Sequence, residues 1–414
     1  MTMIKPFASL RPAGNKAKDI AALPYDVYSS KEAKGKVEDA PLSFLRIDRP
    51  EINFDEGTDP YDTRVYEKAN EILQEMVEDG SYIREDKPCY YVYELTMAGR
   101  VQSGIVGCVS VDDYINGVVK RHEKTRADKE EDRIRHVDAL SAQTGPIFLA
   151  HRHNRVVHDI IERIKTEKEP IYDFVSDDGI GHRVFLIDDG RDIDNITFAY
   201  ANLPEVFIAD GHHRAASAIK VSQMRRESHP RYTGKEEFNY FLSVLFDEQE
   251  LSIMDYNRVV RDLNWLTPIK VLAAMEKTVT LLRSDFYAIR PEKKGQFAMF
   301  LDDKWYLYEF PNELRNDDPV EGMDVSLLQK HILEPIFGIG DPRMDKRIDF
   351  VGGIRGLEGL EQRCEDDCKV AFAMFPTSMQ ELFAVAEAGL LMPPKSTWFE
   401  PKLRSGLFIH EIER

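Results

Sequence analysis

Residues 206–218 read Val-Phe-Ile-Ala-Asp-Gly-His-His-Arg-Ala-Ala-Ser-Ala, and this stretch decides how the chain is interpreted. Its first four residues are apolar and predict a short buried strand, while the alanine-rich text from Ala215 predicts a helix. Gly211 permits a sharp turn between the two elements. The start of a helix directs unpaired N–H groups and a positive dipole end at the preceding turn. We therefore predict that residues 210–214 form a turn that binds an anion such as a phosphate.

The side chains of this turn carry suitable chemistry. His212, His213 and Arg214 add donors that can reach phosphate oxygens. Asp210 ends the strand, where its carboxylate could hold Mg²⁺ or accept a proton. An ordinary capped helix with surface histidines is the structural alternative, and zinc bound by the adjacent histidines is another. Neighbouring side chains point apart on a strand or helix, which disfavours one ion shared by His212 and His213.

A second polar cluster lies upstream, where residues 120–126 read Lys-Arg-His-Glu-Lys-Thr-Arg. Glu123 is the single carboxylate among cationic neighbours such as Arg121 and Lys124, and these neighbours keep a carboxylate ionised. The pattern suits a general base for a hydroxyl group, with the cations facing phosphates. A solvated, salt-bridged helix face explains the same run of charges and is the structural alternative.

Two further polar segments lie towards the C-terminus. Residues 392–399 read Met-Pro-Pro-Lys-Ser-Thr-Trp-Phe. The segment offers an ammonium group and two hydroxyls that could contact a ligand, from Lys395, Ser396 and Thr397. The alternative is a tail that packs through its aromatic residues. Asn257 and Arg258 close an apolar strand, and the planar guanidinium of Arg258 could receive the carboxylate of an amino acid.

The charge of the chain limits the classes of protein it can belong to. The 414 residues include 55 Lys+Arg and 73 Asp+Glu, which gives a net charge of −18. This acidity argues against a nucleic-acid binder and against adhesion to anionic membranes. Residues 210–235 depart from the trend, with six Lys+Arg against two acidic residues. Cations are thus gathered where a small phosphate ligand would bind.

The sequence also indicates a compartment. The four cysteines are scattered, and no second Cys pair completes a zinc site. The N-terminus lacks a charged region followed by an apolar run, and no apolar stretch reaches the roughly 18 residues of a membrane span. We expect a reduced, cytoplasmic protein without structural disulfides. The sequence contains no P-loop, Rossmann, α/β-hydrolase or zincin fingerprint.

Strands and helices alternate along the chain. Asp59-Pro60 predicts the start of a helix with an apolar face from Val65 to Met76. Residues 89–97 and 101–111 predict two strands joined by a hairpin turn. We expect an α+β protein with three segments: an N-terminal extension (1–85), a core that carries both motifs (86–265) and a C-terminal α+β domain (266–414).

Taken together, the motifs resemble those of the free serine kinases, which have a ParB/sulfiredoxin-like fold. Their order is His122-Glu123, then Asp210-Gly211-His212-His213-Arg214, then Pro394-Lys395-Ser396-Thr397. Over its full length the chain also resembles a large bacterial family of unknown function. The segments that carry this second resemblance are Pro24-Tyr25-Asp26-Val27, Ser43-Phe44-Leu45-Arg46, Gly57-Thr58-Asp59-Pro60-Tyr61, Arg121-His122-Glu123-Lys124-Thr125 and Tyr256-Asn257-Arg258.

The resemblance implies transfer of a phosphoryl group from ATP or ADP, with Mg²⁺, to the hydroxyl of free L-serine or a similar metabolite, giving O-phosphoserine. It implies a ParB/sulfiredoxin-like nucleotide-binding core. Glu123, beside His122, takes the place of the catalytic glutamate, and Asp210 that of an essential acidic residue that could also hold Mg²⁺. The implied nucleotide contacts are Gly211, His212, His213, Arg214, Lys395, Ser396 and Thr397. Substrate contacts are expected from Arg121, Asn257 and Arg258.

The expected partners are a nucleotide and a small hydroxyl amino acid, without nucleic acid or membrane, and a homodimer is left open. The alternative function is a non-catalytic nucleotide-binding regulatory protein of the ParB-like fold. Sulfiredoxin chemistry is disfavoured because the turn lacks a cysteine. About 120 residues precede the His-Glu pair, and 87 positions separate Glu123 from Asp210. Both stretches are longer than in the kinases, so the acceptor pocket can differ.

Overall fold

The computed structural model describes residues 1–413 apart from Glu56 and Arg126, and it describes Asp128 only by its place in a helix. Contacts between residues divide the chain into two units. Unit 1 contains Met1–Leu251 and the C-terminal segment from Pro401 onward, and unit 2 contains Ser252–Glu400. Among the described residues, no helix is both long enough and apolar enough to cross a bilayer.

Strands and helices alternate along the chain, as the sequence predicts. The strands are β1 (Ile4–Lys5), β2 (Leu10–Pro12), β3 (Tyr82–Arg84), β4 (Tyr90–Met97), β5 (Arg100–Ser110), β6 (Val119–Lys120), β7 (Ala142–Gln143), β8 (Ile147–His151), β9 (Tyr172–Val175), β10 (Gly181–Ile187), β11 (Val206–Asp210), β12 (Tyr240–Asp247), β13 (Ile253–Met254), β14 (Tyr256–Val260), β15 (Thr280–Asp285), β16 (Gln296–Leu301), β17 (Lys304–Glu309), β18 (Ile348–Gly352), β19 (Val370–Met374), β20 (Trp398–Phe399) and β21 (His410–Glu411). The helices are α1 (Ala17–Ile20), α2 (Ser30–Val37), α3 (Leu45–Asp48), α4 (Thr63–Glu78), α5 (Val111–Ile115), α6 (Ala127–Leu140), α7 (Arg155–Glu167), α8 (Gly190–Ala201), α9 (His212–Ser228), α10 (Pro268–Met275), α11 (Asp324–Leu328), α12 (Glu334–Phe337), α13 (Glu358–Asp366) and α14 (Met379–Glu387).

Unit 1 is built on a large mixed sheet with the strand order β6-β11-β8-β12-β5-β4-β10-β9, and β1 pairs with β5. The pairs β6–β11 and β8–β12 are parallel, and the other pairs of this sheet are antiparallel. Apolar residues of these strands pack against α7, α8 and α9 in one core. The Ser217 hydroxyl of α9 donates to the Glu130 carbonyl of α6 at 3.2 Å. The helix that follows His122 and Glu123 therefore contacts the helix that follows Gly211.

Unit 2 is an antiparallel sheet with helices. Its strand order is β15-β17-β16-β19-β14-β18, and β13 pairs with β20 beside it. Aliphatic and aromatic residues of this sheet form a core with α13. The β16–β17 turn is closed by Asp302 and Asp303, whose φ angles are 53° and 57°. Asp tolerates this left-handed conformation, which is why the pair marks a hairpin in the sequence.

Local predictions hold better than the predicted division of the chain. The turn between β4 and β5 uses Ala98 and Gly99 with positive φ angles of 50° and 80°. The helix expected at Asp59-Pro60 begins instead at Thr63, because the Asp62 carboxylate accepts the Arg64 N–H at 3.0 Å and caps it. Residues 1–85 belong to the same unit as the large sheet, and the division falls after Leu251 rather than after residue 265.

The boundary differs because strand pairing, which local sequence does not reveal, assigns segments to units. In unit 1, β1 joins the large sheet and β21 pairs with β7. In unit 2, β14 lies between β18 and β19 in the antiparallel sheet. The N-terminal and C-terminal segments of the chain are thus both part of unit 1, and β14 is part of unit 2.

A buried carboxyl gives unit 2 a predictable dependence on pH. The Asp324 carboxylate accepts the Gly295 N–H at 2.8 and 3.0 Å, and burial raises its pKa from 3.8 to about 6. The folded state therefore binds this proton more tightly than the unfolded state, and stability is lost as the pH rises from about 4 to about 6. We expect Asp324→Asn to exceed the wild type in unfolding free energy by about 2 to 3 kcal/mol at pH 8.

Urea unfolding at pH 4 and pH 8 measures this effect, because the advantage of Asp324→Asn should vanish at the lower pH. Asp303→Asn is the matched control, since Asp303 is exposed in the same unit and Asn tolerates its positive φ. A difference between wild type and Asp324→Asn that stays constant with pH would contradict the assignment.

Candidate active site in unit 1

The turn between β11 and α9 has the conformation that its glycine permits. Gly211 is left-handed, with φ 92° and ψ 30°. Its carbonyl accepts the Ala215 N–H at 2.9 Å, so α9 starts at His212 and not at Ala215 as predicted. The first helical turn consists of His212, His213 and Arg214. In a helix, the N–H groups of these positions have no partner within the helix, and they point at the turn.

Asp210 at the end of β11 pairs with two cations. The register of β11 against β8 shifts between Ile208 and Asp210, and such a bulge redirects side chains. Asp210 Oδ2 accepts from Arg214 Nη2 at 3.0 Å, and Oδ1 lies 3.4 Å from Lys402 Nζ. Burial acts to raise the pKa of this carboxyl, but Lys402 and Arg214 outweigh burial and hold the pKa at about 2.

Arg214 is held at both ends of its guanidinium group. Besides its bond to Asp210, it donates from Nη1 to the Pro146 carbonyl at 2.6 Å, just before β8. A Cβ atom on Gly211 would lie 3.1 Å from Nε and Nη2 of Arg214, so the glycine makes room for this arrangement. Arg214, which the sequence predicts to contact phosphate, is therefore held in a fixed position beside Gly211.

The arrangement does not favour Asp210 as a Mg²⁺ ligand, because both of its oxygens already face cations. One of these cations, Lys402, belongs to the C-terminal segment of unit 1, and the sequence analysis did not single it out. Its neighbours Pro401 and Leu403 form no recognisable motif with it. Its place beside Asp210 follows from the path of the C-terminal segment, which is a long-range property of the fold.

The His-Glu motif lies next to this turn because of a strand pairing. His122 and Glu123 follow β6, which pairs in parallel with β11 at the register Val119 to Val206. The rings of His122 and His212 have centroids 4.6 Å apart and are perpendicular. Glu123 Oε2 lies 3.8 Å from His212 Nδ1, and 46 % of the Glu123 side chain is exposed. The structure thus brings together the first two predicted motifs.

Both of these imidazoles are buried. Burial lowers the pKa of His122 to about 4, although the Asp210 carboxylate opposes the shift. Burial and the neighbouring His122 lower the pKa of His212 well below its usual range. Among the described residues, none forms a well-aligned hydrogen bond with either ring nitrogen of His122 or with Nε2 of His212. His122 also interacts with the Ile208 backbone. Two neutral imidazoles, each with at least one nitrogen that lacks a well-aligned partner among the described residues, therefore line the junction of the two motifs.

The remaining cations of the upstream cluster face outward or pair locally. The Arg121 guanidinium is exposed, lies 5.0 Å from the Tyr114 ring centroid and donates to its hydroxyl at 3.3 Å. Lys120 Nζ lies 3.5 Å from Glu205 Oε2. The last residue of the cluster, Arg126, lies outside the described residues. A substrate contact by Arg121 stays a prediction.

Predicted residues of the C-terminal part lie in unit 2 and form a second group. The Asn257 amide is fully buried, donates to Asp255 Oδ2 at 2.5 Å and accepts from the Met374 N–H at 2.9 Å. It thereby bonds strand β14 to its neighbour β19. This contact network accounts for Asn257 as a structural residue, and its predicted contact with substrate remains untested.

Arg258 lies beside the predicted C-terminal motif. Its Nη2 lies 3.5 Å from the Pro394 carbonyl, and burial lowers its pKa to about 10. The Lys395 ammonium is 5.6 Å from the Tyr256 ring centroid, and Lys395 is exposed. Ser396 is buried and donates to the Pro393 carbonyl at 2.7 Å. Unit 2 therefore gathers Arg258 and the 394–397 segment, with Thr397 half-buried in the same segment.

The fold and this site define an α+β protein whose large mixed sheet leads, through the left-handed Gly211, into the start of α9. The chain belongs to the family described as "Protein of unknown function (DUF1015)", whose model matches residues 4–326. This confirms the resemblance to a family of unknown function. Among curated proteins, none matches the chain.

Several solved structures are distantly similar. A free serine kinase carrying a glutamate-to-glutamine mutation, in complex with AMP, has 12 % identity and a TM-score of 0.36, and the alignment covers 75 % of this chain and 92 % of that one. C-terminally truncated SbnI from Staphylococcus aureus has 13 % identity, a TM-score of 0.37 and coverages of 71 % and 82 %. A conserved hypothetical protein from Pyrococcus furiosus has 14 % identity, a TM-score of 0.34 and coverages of 75 % and 95 %. Similarity at this level assigns no activity to the chain.

Proposed function

We propose that this protein is a small-molecule kinase that transfers a phosphoryl group from ATP or ADP to the hydroxyl of free L-serine or a similar metabolite. The observation that supports this best is the position of Glu123, whose Oε2 lies 3.8 Å from Nδ1 of His212, the first residue of α9. A helix start binds phosphate, and a carboxylate beside it can accept a proton. Phosphoryl transfer requires mainly this kind of positioning together with charge stabilisation.

In this proposal the turn binds the phosphates of the nucleotide. The N–H groups of the first turn of α9 and its dipole face the anion. Arg214, fixed by Asp210 and the Pro146 carbonyl, adds a positive charge that does not need to be ordered on binding. His213 is partly exposed on the same helical turn and adds a donor. When bound with the nucleotide, Mg²⁺ supplies further neutralisation of phosphate charge.

Glu123 acts on the acceptor. Its half-exposed carboxylate takes the proton of the acceptor hydroxyl while the hydroxyl oxygen forms a bond to the terminal phosphorus. The bond between that phosphorus and the bridging oxygen breaks, and the nucleotide leaves with one phosphate fewer. His122 packs against His212 and thereby positions the Glu123 segment beside the turn.

The proposal extends to the rest of the predicted site and to the setting of the protein. A ParB/sulfiredoxin-like core in unit 1 is part of it. Nucleotide contacts by Lys395, Ser396 and Thr397 and substrate contacts by Arg121, Asn257 and Arg258 stay predictions. The four cysteines are free thiols, which fits a reducing cytoplasm. A homodimer is compatible with the proposal.

Turnover of the full chain tests the proposal. ATP or ADP with Mg²⁺ is incubated with L-serine, L-threonine or L-homoserine, and phosphorylated amino acids are detected by mass spectrometry. We expect product with at least one acceptor. Binding of nucleotide without any product would instead indicate the alternative, a non-catalytic regulatory protein.

Nucleotide binding is measured separately by thermal unfolding. A ligand at about 100 times its Kd that binds only the folded state stabilises it by about 2.7 kcal/mol. For a chain of this size we expect ATP or ADP to raise the Tm by a few degrees. The absence of a shift with both nucleotides at millimolar concentration would contradict the proposed function as a whole.

A further inference from the structure

The junction of the two motifs in unit 1 has the composition of a metal site. His122 and Glu123 come from the upstream motif, and His212 comes from the start of α9. One ligand atom from each of these residues lies within 4.8 Å of the other two. We propose that the three side chains bind a divalent transition-metal ion, for which Zn²⁺ is the reference.

The spacing is close to that of a metal centre but slightly open. Ligands about 2.0 to 2.2 Å from a tetrahedral ion lie roughly 3.3 to 3.5 Å from one another. Glu123 Oε2 and His212 Nδ1 are 3.8 Å apart, and Glu123 is half-exposed. Rotation of this half-exposed carboxylate, together with small shifts of the rings, would close the set around an ion.

The unused nitrogens of the two histidines point to a ligand. The exposed fractions of His122 and His212 are 2 % and 5 %. Apart from an interaction of His122 with the Ile208 backbone, three of their four ring nitrogens lack a well-aligned hydrogen bond within the part of the chain that is described. A buried polar group without a partner costs about 1 to 3 kcal/mol. An ion at the junction would bond one of the unpartnered nitrogens of His122 and remove its cost, and on His212 it would bond Nδ1, the nitrogen that lies 3.8 Å from Glu123.

The donor set selects the class of ion. Two imidazoles and one carboxylate suit Zn²⁺, Fe²⁺ or Ni²⁺, whereas Mg²⁺ and Ca²⁺ prefer oxygen ligands. Three protein ligands leave a coordination position for water or another oxygen donor, as in catalytic zinc sites. The site differs from the adjacent-histidine site considered from the sequence, because His212 is joined by His122 and not by His213.

The charges around the three side chains determine how much negative charge the site offers to an ion. Asp210 influences both imidazoles, but its charge is offset by Arg214 and Lys402. The Glu123 carboxylate is therefore the main negative charge offered to the ion. We expect its replacement by an amide to weaken binding even where both histidines remain.

The inference goes beyond the proposed function, since metal can bind whether or not a phosphoryl group is transferred. A carboxylate that binds an ion is a poor base, so we expect the bound ion to inhibit phosphoryl transfer by Glu123. The test uses the full chain after treatment with a chelator, and Zn²⁺ is titrated by calorimetry. We expect one equivalent to bind. Loss of an outer-shell partner of a metal site costs up to about 100-fold in affinity, so removal of a direct ligand in His122→Ala or His212→Ala should cost at least that much, with a smaller loss for Glu123→Gln. His229→Ala is the matched control, because His229 is exposed at the end of α9 and should leave binding unchanged.

A measurement on the unaltered chain covers the case in which a buried-histidine variant does not fold. Co²⁺ bound by imidazole nitrogens at low coordination number gives strong visible absorption, and Zn²⁺ should abolish it in a one-to-one titration. A wild-type chain that binds no Zn²⁺ at millimolar concentration, or a folded His212→Ala variant with unchanged affinity, would overturn the inference. Zn²⁺ binding by a chain that gives no phosphorylated product after chelator treatment, with Mg²⁺ and without Zn²⁺, contradicts only the proposed function, and product from a chain that binds no Zn²⁺ contradicts only this inference.

Discussion

Glu123→Gln is expected to lower the rate of phosphoryl transfer by about 10²- to 10⁴-fold, the usual contribution of a general base. The amide keeps the size of the side chain but cannot accept the hydroxyl proton. Because Glu123 is half-exposed, the substitution should leave the fold intact. Removal of a negative charge beside the phosphates should leave nucleotide affinity unchanged or increase it, so the loss should fall on kcat.

Steady-state kinetics on the acceptor found in the turnover assay, with nucleotide affinity from calorimetry, measure this effect. The matched control is Glu131→Gln, since Glu131 is an exposed glutamate on α6 whose ion pair with Arg135 is at the surface. It should reduce the rate by less than about two-fold, as a surface pair contributes little. A Glu123→Gln variant as active as the control would contradict the role of general base.

The second large effect is expected for Gly211→Ala. The substitution places a Cβ atom 3.1 Å from the Arg214 guanidinium in a residue with φ 92°. Left-handed backbone costs a non-glycine residue roughly 1 to 2 kcal/mol, and the contact pushes Arg214 away from Asp210. We expect lower stability together with about a tenfold or greater loss of nucleotide affinity, because one charge-assisted contact of the turn is displaced.

Gly99→Ala distinguishes the effect of backbone strain from the effect of displacing Arg214. Gly99 has φ 80° in the β4–β5 turn of the same unit, and a Cβ atom there meets nothing within 4 Å. The free energy of unfolding of this variant should fall by a similar amount, roughly 1 to 2 kcal/mol, because of backbone strain. Its nucleotide affinity should equal that of the wild type. Urea unfolding and calorimetry on both variants test the difference. Equal nucleotide affinity in the two variants would show that the turn does not bind the phosphates.

The features that the sequence predicts correctly are those that local chemistry controls. The β4–β5 hairpin follows from a turn of Ala98 and Gly99, and the β16–β17 hairpin from Asp302-Asp303. The apolar spacing of α4 is sufficient to predict its buried face, although two aspartates compete for its cap and the later one, Asp62, provides it. The start of this helix is predicted a few residues too early because either aspartate could cap it, and the sequence alone does not show which one does.

In the candidate active site, the individual motifs are predictable from the sequence but the contacts between them are not. The sequence predicts both the phosphate turn and the His-Glu motif, but their contact depends on the parallel pairing of β6 with β11 across more than 80 residues. The perpendicular packing of His122 on His212 follows from that pairing. Lys402 likewise reaches Asp210 from the other end of the chain. Long-range pairing of this kind leaves no signal in residue spacing, and so neither contact could be predicted from the sequence.

The most direct test of the central claim is a crystal structure of the full chain with a non-hydrolysable ATP analogue. The account predicts phosphates at the N-terminus of α9, within hydrogen-bond distance of the first-turn N–H groups and Arg214. Glu123 should lie beside the terminal phosphate, where an acceptor hydroxyl can reach it. A nucleotide bound elsewhere in the chain, or phosphates remote from Glu123, would contradict the account.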